Sequence, residues 1–140
     1  MAGWDWNFEL TQHSFPLRVY YEDTDFSGVV YHASYLRFLE RGRTEFIRAC
    51  GIDQQKLHRE TGVYFVVRRM EIDWIKPALM DDELVVETAP ATLRGASMIL
   101  SQRILRGQEV LTTAEVVVAI LKDGRPTRLP DSFRAAFGPS

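Results

Sequence analysis

Residues 15 to 21 alternate in polarity, with Phe15, Leu17, Val19 and Tyr21 on one side of an extended chain and Arg18 and Tyr20 on the other. That period of two predicts a half-buried first strand. The period then changes. From 33 to 50, Tyr35, Leu36, Leu39, Gly42, Phe46, Ile47 and Cys50 recur at spacings of three and four, while Arg37, Arg41, Glu45 and Arg48 fall largely elsewhere. This predicts a long amphipathic helix stopped by Gly51. "DQQKLHRETG" predicts a short second helical turn, opened by Asp53 and closed by Gly62. Beyond it the chain is rich in β-branched residues. "VYFVVRRMEIDWI", "ELVVETA", "SMILSQRIL" and "EVLTTAEVVVAIL" predict four more strands. Pro77 with Asp81-Asp82, then Arg94-Gly95, then Arg106-Gly107 mark the turns between them, and the last two are short enough for antiparallel hairpins. Asp123-Gly124 is expected to end the sheet, and the tail from Leu129 to offer a helical turn at most.

A strand, a long helix and a meander, without the alternating helices of a parallel sheet, predict the α+β class. Eighteen helical residues span about 27 Å, and five strands make a sheet about 24 Å wide. A five-stranded antiparallel sheet can therefore wrap one long central helix. The segment "EVVVAIL" is apolar on both alternating faces, so an outer sheet face and edge strands left in water would be costly. At least a dimer, built by sheet pairing, is expected. The chain reads as one domain over 1–140, with 1–14 as an N-terminal extension and 123–140 as a C-terminal tail.

Composition narrows the function. Hydrophobic residues make up 46% of the 140 positions and charged residues 26%, an ordinary globular balance. Seventeen basic against nineteen acidic side chains leave a net charge of -2, and no global field recruits nucleic acid or anionic lipid. The longest plain apolar run, Val116 to Leu121, is far short of the roughly 20 residues a membrane span needs. The start, "MAGWDWNFELTQ", carries Asp5 and Glu9 and lacks the basic flank and apolar stretch of a secretory signal. Cys50 is the one cysteine and has no intrachain partner. A cytoplasmic protein is expected, with Cys50 as inert filler on an apolar stripe.

The chemistry is concentrated in "RVYYEDTDFSGVVYHASY", residues 18 to 35, which holds three acids, a glycine, a lone histidine and four tyrosines. Asp23, Asp25, Ser27, Gly28 and Val30 imitate the first part of a calcium-binding loop, but the position that needs a bidentate glutamate is Ser34. A plain turn accounts for Glu22 and Asp23 as solvated or arginine-paired acids. It does not account for Asp25 close to a glycine and followed directly by a helix start. The first turn of a helix presents unpaired N–H groups and about half a positive charge, so it can hold a carbonyl oxygen that is becoming an anion. Those donors would lie near Tyr31 and His32, Gly28 would leave room for a substrate, and Asp25 would act as nucleophile or as base toward water. A carboxylate attacks amides and ordinary esters poorly, whereas a thioester is the easier acyl donor. No zinc-type spacing, nucleophile elbow or phosphate loop occurs, so no metal and no cofactor are expected.

Arg18-Val19, Thr24-Asp25, Gly28-Val29-Val30, His32 and Tyr35 resemble the signature of the 4-hydroxybenzoyl-CoA thioesterase family of hotdog-fold proteins. The longer string "YYEDTDFSGVVYHASYLRFLERGRTEF" looks most like the bacterial acyl-CoA thioesterases encoded beside the Tol-Pal envelope system, and "FVVRRMEIDWIKPALMDDEL" and "RGASMILSQRI" are similar to them too. The likeness runs from about Phe15 to Leu121. It implies a hotdog fold, dimers pairing into a homotetramer, an active site at the dimer interface, and hydrolysis of acyl-CoA to a free acid and coenzyme A. It places the acidic catalytic residue on Asp25 and the oxyanion donors near Tyr31 and His32. Phe26-Ser27 departs from it, since many relatives carry smaller residues there, and Phe26 is a candidate wall of the acyl pocket.

The expected site is therefore Asp25 and His32 as catalytic residues, with Gly28, Val30 and Tyr31 against the substrate. The His32 ring can steer Asp25 or protonate the leaving thiolate, or it can simply be a packing residue. Arg68 and Arg69, with Lys76, are candidates to hold the phosphates of coenzyme A. Glu40 is a rival carboxylate whose blander role is pairing with Arg37 or Arg43. Two other readings stand beside hydrolysis: a hotdog hydratase or dehydratase, and a non-catalytic acyl-thioester binder or envelope-complex scaffold. Trp4 and Trp6 are given no role beyond surface or interface packing.

Overall fold

The computed structural model describes residues 4–5 and 12–134. Its strands are β1 (Trp4–Asp5), β2 (His13–Arg18), β3 (Val63–Trp74), β4 (Glu83–Arg94), β5 (Ser97–Arg106), β6 (Glu109–Lys122) and β7 (Arg125–Pro126). Its α-helices are α1 (His32–Ala49), α2 (Gln54–Thr61) and α3 (Asp131–Arg134). Five strands carry the sheet in the order β2-β4-β5-β6-β3, and each neighbouring pair is antiparallel. The short β1 and β7 add to β4 and β6. This is the expected α+β arrangement of a hotdog fold, with α1 as its long central helix.

Three differences from the sequence reading have local causes. The first strand ends at Arg18, and Tyr20 leads into a 3-10 turn over Tyr21–Asp23, which leaves Tyr21 78% exposed instead of facing the core. Asp123 and Gly124 do not close the sheet. Their consecutive positive φ values of 51° and 74° make a tight reversal that sends Arg125–Pro126 back along β6. On α1 the buried stripe runs through Tyr35, Phe38, Leu39, Gly42, Phe46 and Ile47, so Phe38 takes the core position that periodicity had given to Leu36, which is exposed. The short second helix matches its signals closely, since the Asp53 carboxylate accepts from the Lys56 N–H at 3.1 Å and Gly62 caps the other end.

Helix α1 lies very close to the sheet, and Gly42 is what permits it. A Cβ at that position would stand 2.5 Å from Cγ1 of Val86 on β4. The contact buries Phe38, Leu39 and Phe46 against Leu84, Val86, Leu100, Ile104 and Val116. A polar tie crosses the same interface: Gln102 donates from Nε2 to the Leu39 carbonyl and to Thr88 Oγ1, each at 2.9 Å, and accepts from Arg43 at 3.0 Å. Burial pushes the Arg43 guanidinium below its ordinary value and the nearby Glu40 charge pulls it back up. Glu40 thus sits electrostatically beside Arg43, whereas Arg37 turns to a different acid. Among the described residues no helix is long and apolar enough to cross a membrane.

Candidate active site

The loop between β2 and α1 is a miniature hairpin folded onto the start of the helix. Thr24 bridges Val30, the Asp25 N–H donates to the Val29 carbonyl at 2.9 Å, and the Gly28 N–H donates to the Asp25 carbonyl at 3.2 Å. Gly28 sits at φ 83°, where a side chain would be strained, and no atom lies within 4 Å of where its Cβ would be. Residues 25 to 28 therefore form a tight open turn, with Asp25 exposed at its first corner.

Asp23 fastens this turn to the body. It ends the 3-10 turn, and its carboxylate reaches back to accept the Tyr20 N–H at 2.8 Å, as the acid of a capping box does. Its other oxygen meets Arg37 at 3.3 Å, and Asp23 is only 6% exposed. Its carbonyl accepts from the Tyr31 N–H and the Ser34 hydroxyl, each at 3.0 Å. The sequence allowed arginine pairing here but not burial, because the capping geometry depends on where the strand ends. With Asp23 facing Tyr20 and Arg37, and Asp25 facing Ser27, the two carboxylates do not converge as in a calcium loop.

A second layer supports the turn from behind. Val30 donates to the Ala78 carbonyl at 2.9 Å, Val29 bridges Leu79, and the Ala78 N–H donates to the buried Tyr35 hydroxyl at 2.9 Å. Burial raises the Tyr35 phenol, so it stays protonated. Arg106 grips Asp82 at 2.7 Å and Glu109 at 2.8 Å, and Lys76 meets Glu109 at 2.7 Å, which fixes the segment carrying Ala78.

The amides that α1 leaves open at its start begin one residue after Tyr31. The Tyr31 N–H is already used by the Asp23 carbonyl, and the Ser34 N–H donates to the Tyr31 carbonyl at 2.8 Å. The first amides of α1 left without an intrahelical acceptor are then those of His32 and Ala33. Asp23 stands opposite Tyr31 across the small hairpin, so Asp25 is two residues further along. Strand rise and spacing put the backbones of Asp25 and His32 on the order of 10 Å apart. A gap of that size can seat one acyl carbonyl between a carboxylate and two amides.

The Asp25 carboxylate is held as an anion. Its Oδ1 accepts from the Ser27 hydroxyl at 2.7 Å and from the Ser27 N–H at 2.8 Å. The hydroxyl first, and then the amide, hold its pKa below the ordinary aspartate value.

The remaining candidates divide. The His32 ring stacks on Trp74, with centroids 4.6 Å apart and planes 24° from parallel, which is the packing role rather than a bond to Asp25. Val30 is 2% exposed and its amide serves Ala78, so neither its side chain nor its N–H is open to a substrate within this chain. Tyr31 is 58% exposed and offers a side-chain surface, though not the amide expected of it. Arg68 is the extra residue of a bulge in β3, and Arg69 pairs with Glu71 at 3.3 Å. Five and six residues from Trp74, they lie roughly 17–20 Å along the strand from the helix start, so one chain does not bring them to Asp25. Lys76 pairs with Glu109 at 2.7 Å. Glu40 is eight residues into α1, about 12 Å from its start, and is remote from the gap. Trp6 and the side chain of Trp4 lie outside the described residues.

An antiparallel sheet wrapped around one long helix defines the hotdog class. The comparisons agree. The model of the thioesterase-like superfamily matches residues 19–137. Acyl-CoA thioesterase YbgC of Haemophilus influenzae is 46% identical over 126 residues, covering 89% of this chain and 93% of that protein. Acyl-CoA thioester hydrolase YbgC of Escherichia coli is 43% identical over 130 residues, covering 91% and 96%. The crystal structure of a probable thioesterase from Bartonella henselae superposes with a TM-score of 0.81 at 46% identity, covering 85% of this chain and 99% of that one. The chain belongs to the thioesterase-like superfamily and is a thioester hydrolase.

Proposed function

We propose that this protein hydrolyses acyl-CoA thioesters to a free acid and coenzyme A, with Asp25 as the essential carboxylate and the His32 and Ala33 amides as the oxyanion site. The observation that carries the reading is the Asp25 carboxylate, exposed and clamped through one oxygen on a turn tied to the start of α1. The names of the 46% and 43% identical relatives supply the substrate class. The carbonyl oxygen of the thioester points at the two amides and becomes negative as a nucleophile adds to its carbon. That nucleophile is either the free Asp25 oxygen, giving an acyl-aspartyl anhydride that water then opens, or a water whose proton Asp25 takes. In both routes the C–S bond breaks and the thiolate leaves.

Exposed apolar residues surround the turn: Phe26, Tyr31, Trp74, Ile75, Leu79 and Met80. Val66 and Val67 are also exposed on β3, the outer strand of the sheet order. These features support a homodimer that pairs β3 edges and covers the site, with such dimers pairing into a tetramer. A single cytoplasmic domain completes the proposal.

Asp25→Asn tests it. With fold and assembly intact, kcat for thiol release from acyl-CoA should fall by on the order of 100-fold or more. Undiminished turnover in that variant would remove Asp25 from the mechanism. A parent protein that turns over no acyl-CoA of any chain length would favour the non-catalytic binder.

A further inference from the structure

Ser27 is the residue that restrains the Asp25 carboxylate. Its hydroxyl and its N–H both donate to the same oxygen, Oδ1, at 2.7 and 2.8 Å. The backbone amides of Val29 and Asp25 add weaker hydrogen bonding to the carboxylate, but the neighbouring side chains give no such restraint, since Phe26 is 108% exposed and Gly28 has no side chain. A short acid on an exposed loop otherwise moves among staggered rotamers. Two donors from one residue select a single arrangement, and because both fall on Oδ1, Oδ2 is the oxygen that Ser27 leaves for chemistry.

We propose that Ser27 is a positioning residue for thioester hydrolysis, its hydroxyl pinning Oδ1 so that Oδ2 is presented to the acyl carbon or to the attacking water. This rests on the assignment of Asp25 as the reacting carboxylate. At neutral pH an ordinary aspartate is already ionised, so the hydroxyl acts there through orientation, which governs how often the reactants meet productively. Its effect on charge shows only in acid. Activity needs the anion and is lost as pH falls through the Asp25 pKa, which the Ser27 hydroxyl lowers. Without the hydroxyl that loss begins at a higher pH.

The experiment is a pH profile of kcat and KM with one acyl-CoA for the parent, Ser27→Ala, Ser27→Thr and Asp25→Asn, and for Ser27→Ala in the Asp25→Asn background. Ser27→Ala should lower kcat roughly three- to ten-fold, the scale of one ordinary hydrogen bond made in contact with solvent, with KM within about two-fold and the acid limb moved to higher pH. Ser27→Thr, which keeps a hydroxyl, should recover both. In the Asp25→Asn background the alanine should change residual turnover little. Parent-like kcat and acid limb in Ser27→Ala, or an equal loss with and without Asp25, would overturn the positioning role while leaving Asp25 in place. Full activity in Asp25→Asn would instead overturn the assignment on which the role rests.

Discussion

Removing the Asp23 carboxylate should cost stability and activity together, because one side chain joins the end of β2 to the loop that carries Asp25. Asp23→Ala deletes the 2.8 Å bond from the Tyr20 amide and the 3.3 Å contact with Arg37. The first is a nearly buried bond to a charged acceptor and is worth about 1.5–3 kcal/mol. The second involves a half-exposed arginine that keeps its 3.0 Å bond to Ser34, so it adds at most about 1 kcal/mol. The expected loss is about 1.5–4 kcal/mol. Asp23→Asn keeps an acceptor for Tyr20 and should lose roughly half as much. Urea unfolding at a fixed protomer concentration measures both variants, since any assembly makes apparent stability concentration-dependent. The released turn should also lower kcat by about ten-fold or more, because small displacements of a reacting group are costly. An Asp23→Ala protein within about 0.5 kcal/mol of the parent would show that the backbone bonds from Tyr31 and Ser34 hold the loop unaided.

Two further perturbations probe the body of the fold. Gly42→Ala puts a methyl 2.5 Å from Val86 Cγ1, and forcing α1 off β4 should cost about 1–3 kcal/mol; a neutral result in the same unfolding assay would mean that the helix slides without penalty. Burial pushes the Cys50 thiol up to about 11, so at pH 8 only about one thiol in a thousand is ionised. Alkylation of the native protein should be far slower at that pH than for a free cysteine and should accelerate through pH 9–10, whereas rapid labelling at pH 8 would refute the burial argument.

What could be read from the chain was whatever a few consecutive residues decide. Asp53 and Gly62 bracket α2 because caps act over three or four positions. The length of α1 followed from its own periodicity, but the choice of Phe38 over Leu36 as core did not, since the sheet surface beneath the helix sets that rotation. Asp25, Gly28 and the helix start lie within eight residues of one another, and so the candidate site was legible as a cluster. That the Tyr31 amide is engaged was not legible, because Asp23, whose carbonyl accepts it, comes from the opposite arm of the hairpin. Arg68, Arg69 and Lys76 looked like a cationic patch in sequence. The bulge at Arg68 and the partners Glu71 and Glu109 disperse it in space.

The placement of Asp25 at an exposed corner is hard to reconcile with catalysis by one protomer alone. Backbone amides stabilise a developing anion strongly only where water is excluded, because bulk solvent screens the same interaction to a small fraction of its strength. Here the carboxylate is exposed, and Phe26, Tyr31 and Trp74 beside it present apolar surface to solvent. A cover of similar polarity would bury those rings and dry the gap in one step, so assembly and activity should be lost together when protomers separate. The buried half of the design, Asp23 with Arg37 and Tyr35 with Ala78, already lies within one chain. In the proposed dimer that division would hold the turn rigid before association, which would then supply the low dielectric and not the geometry.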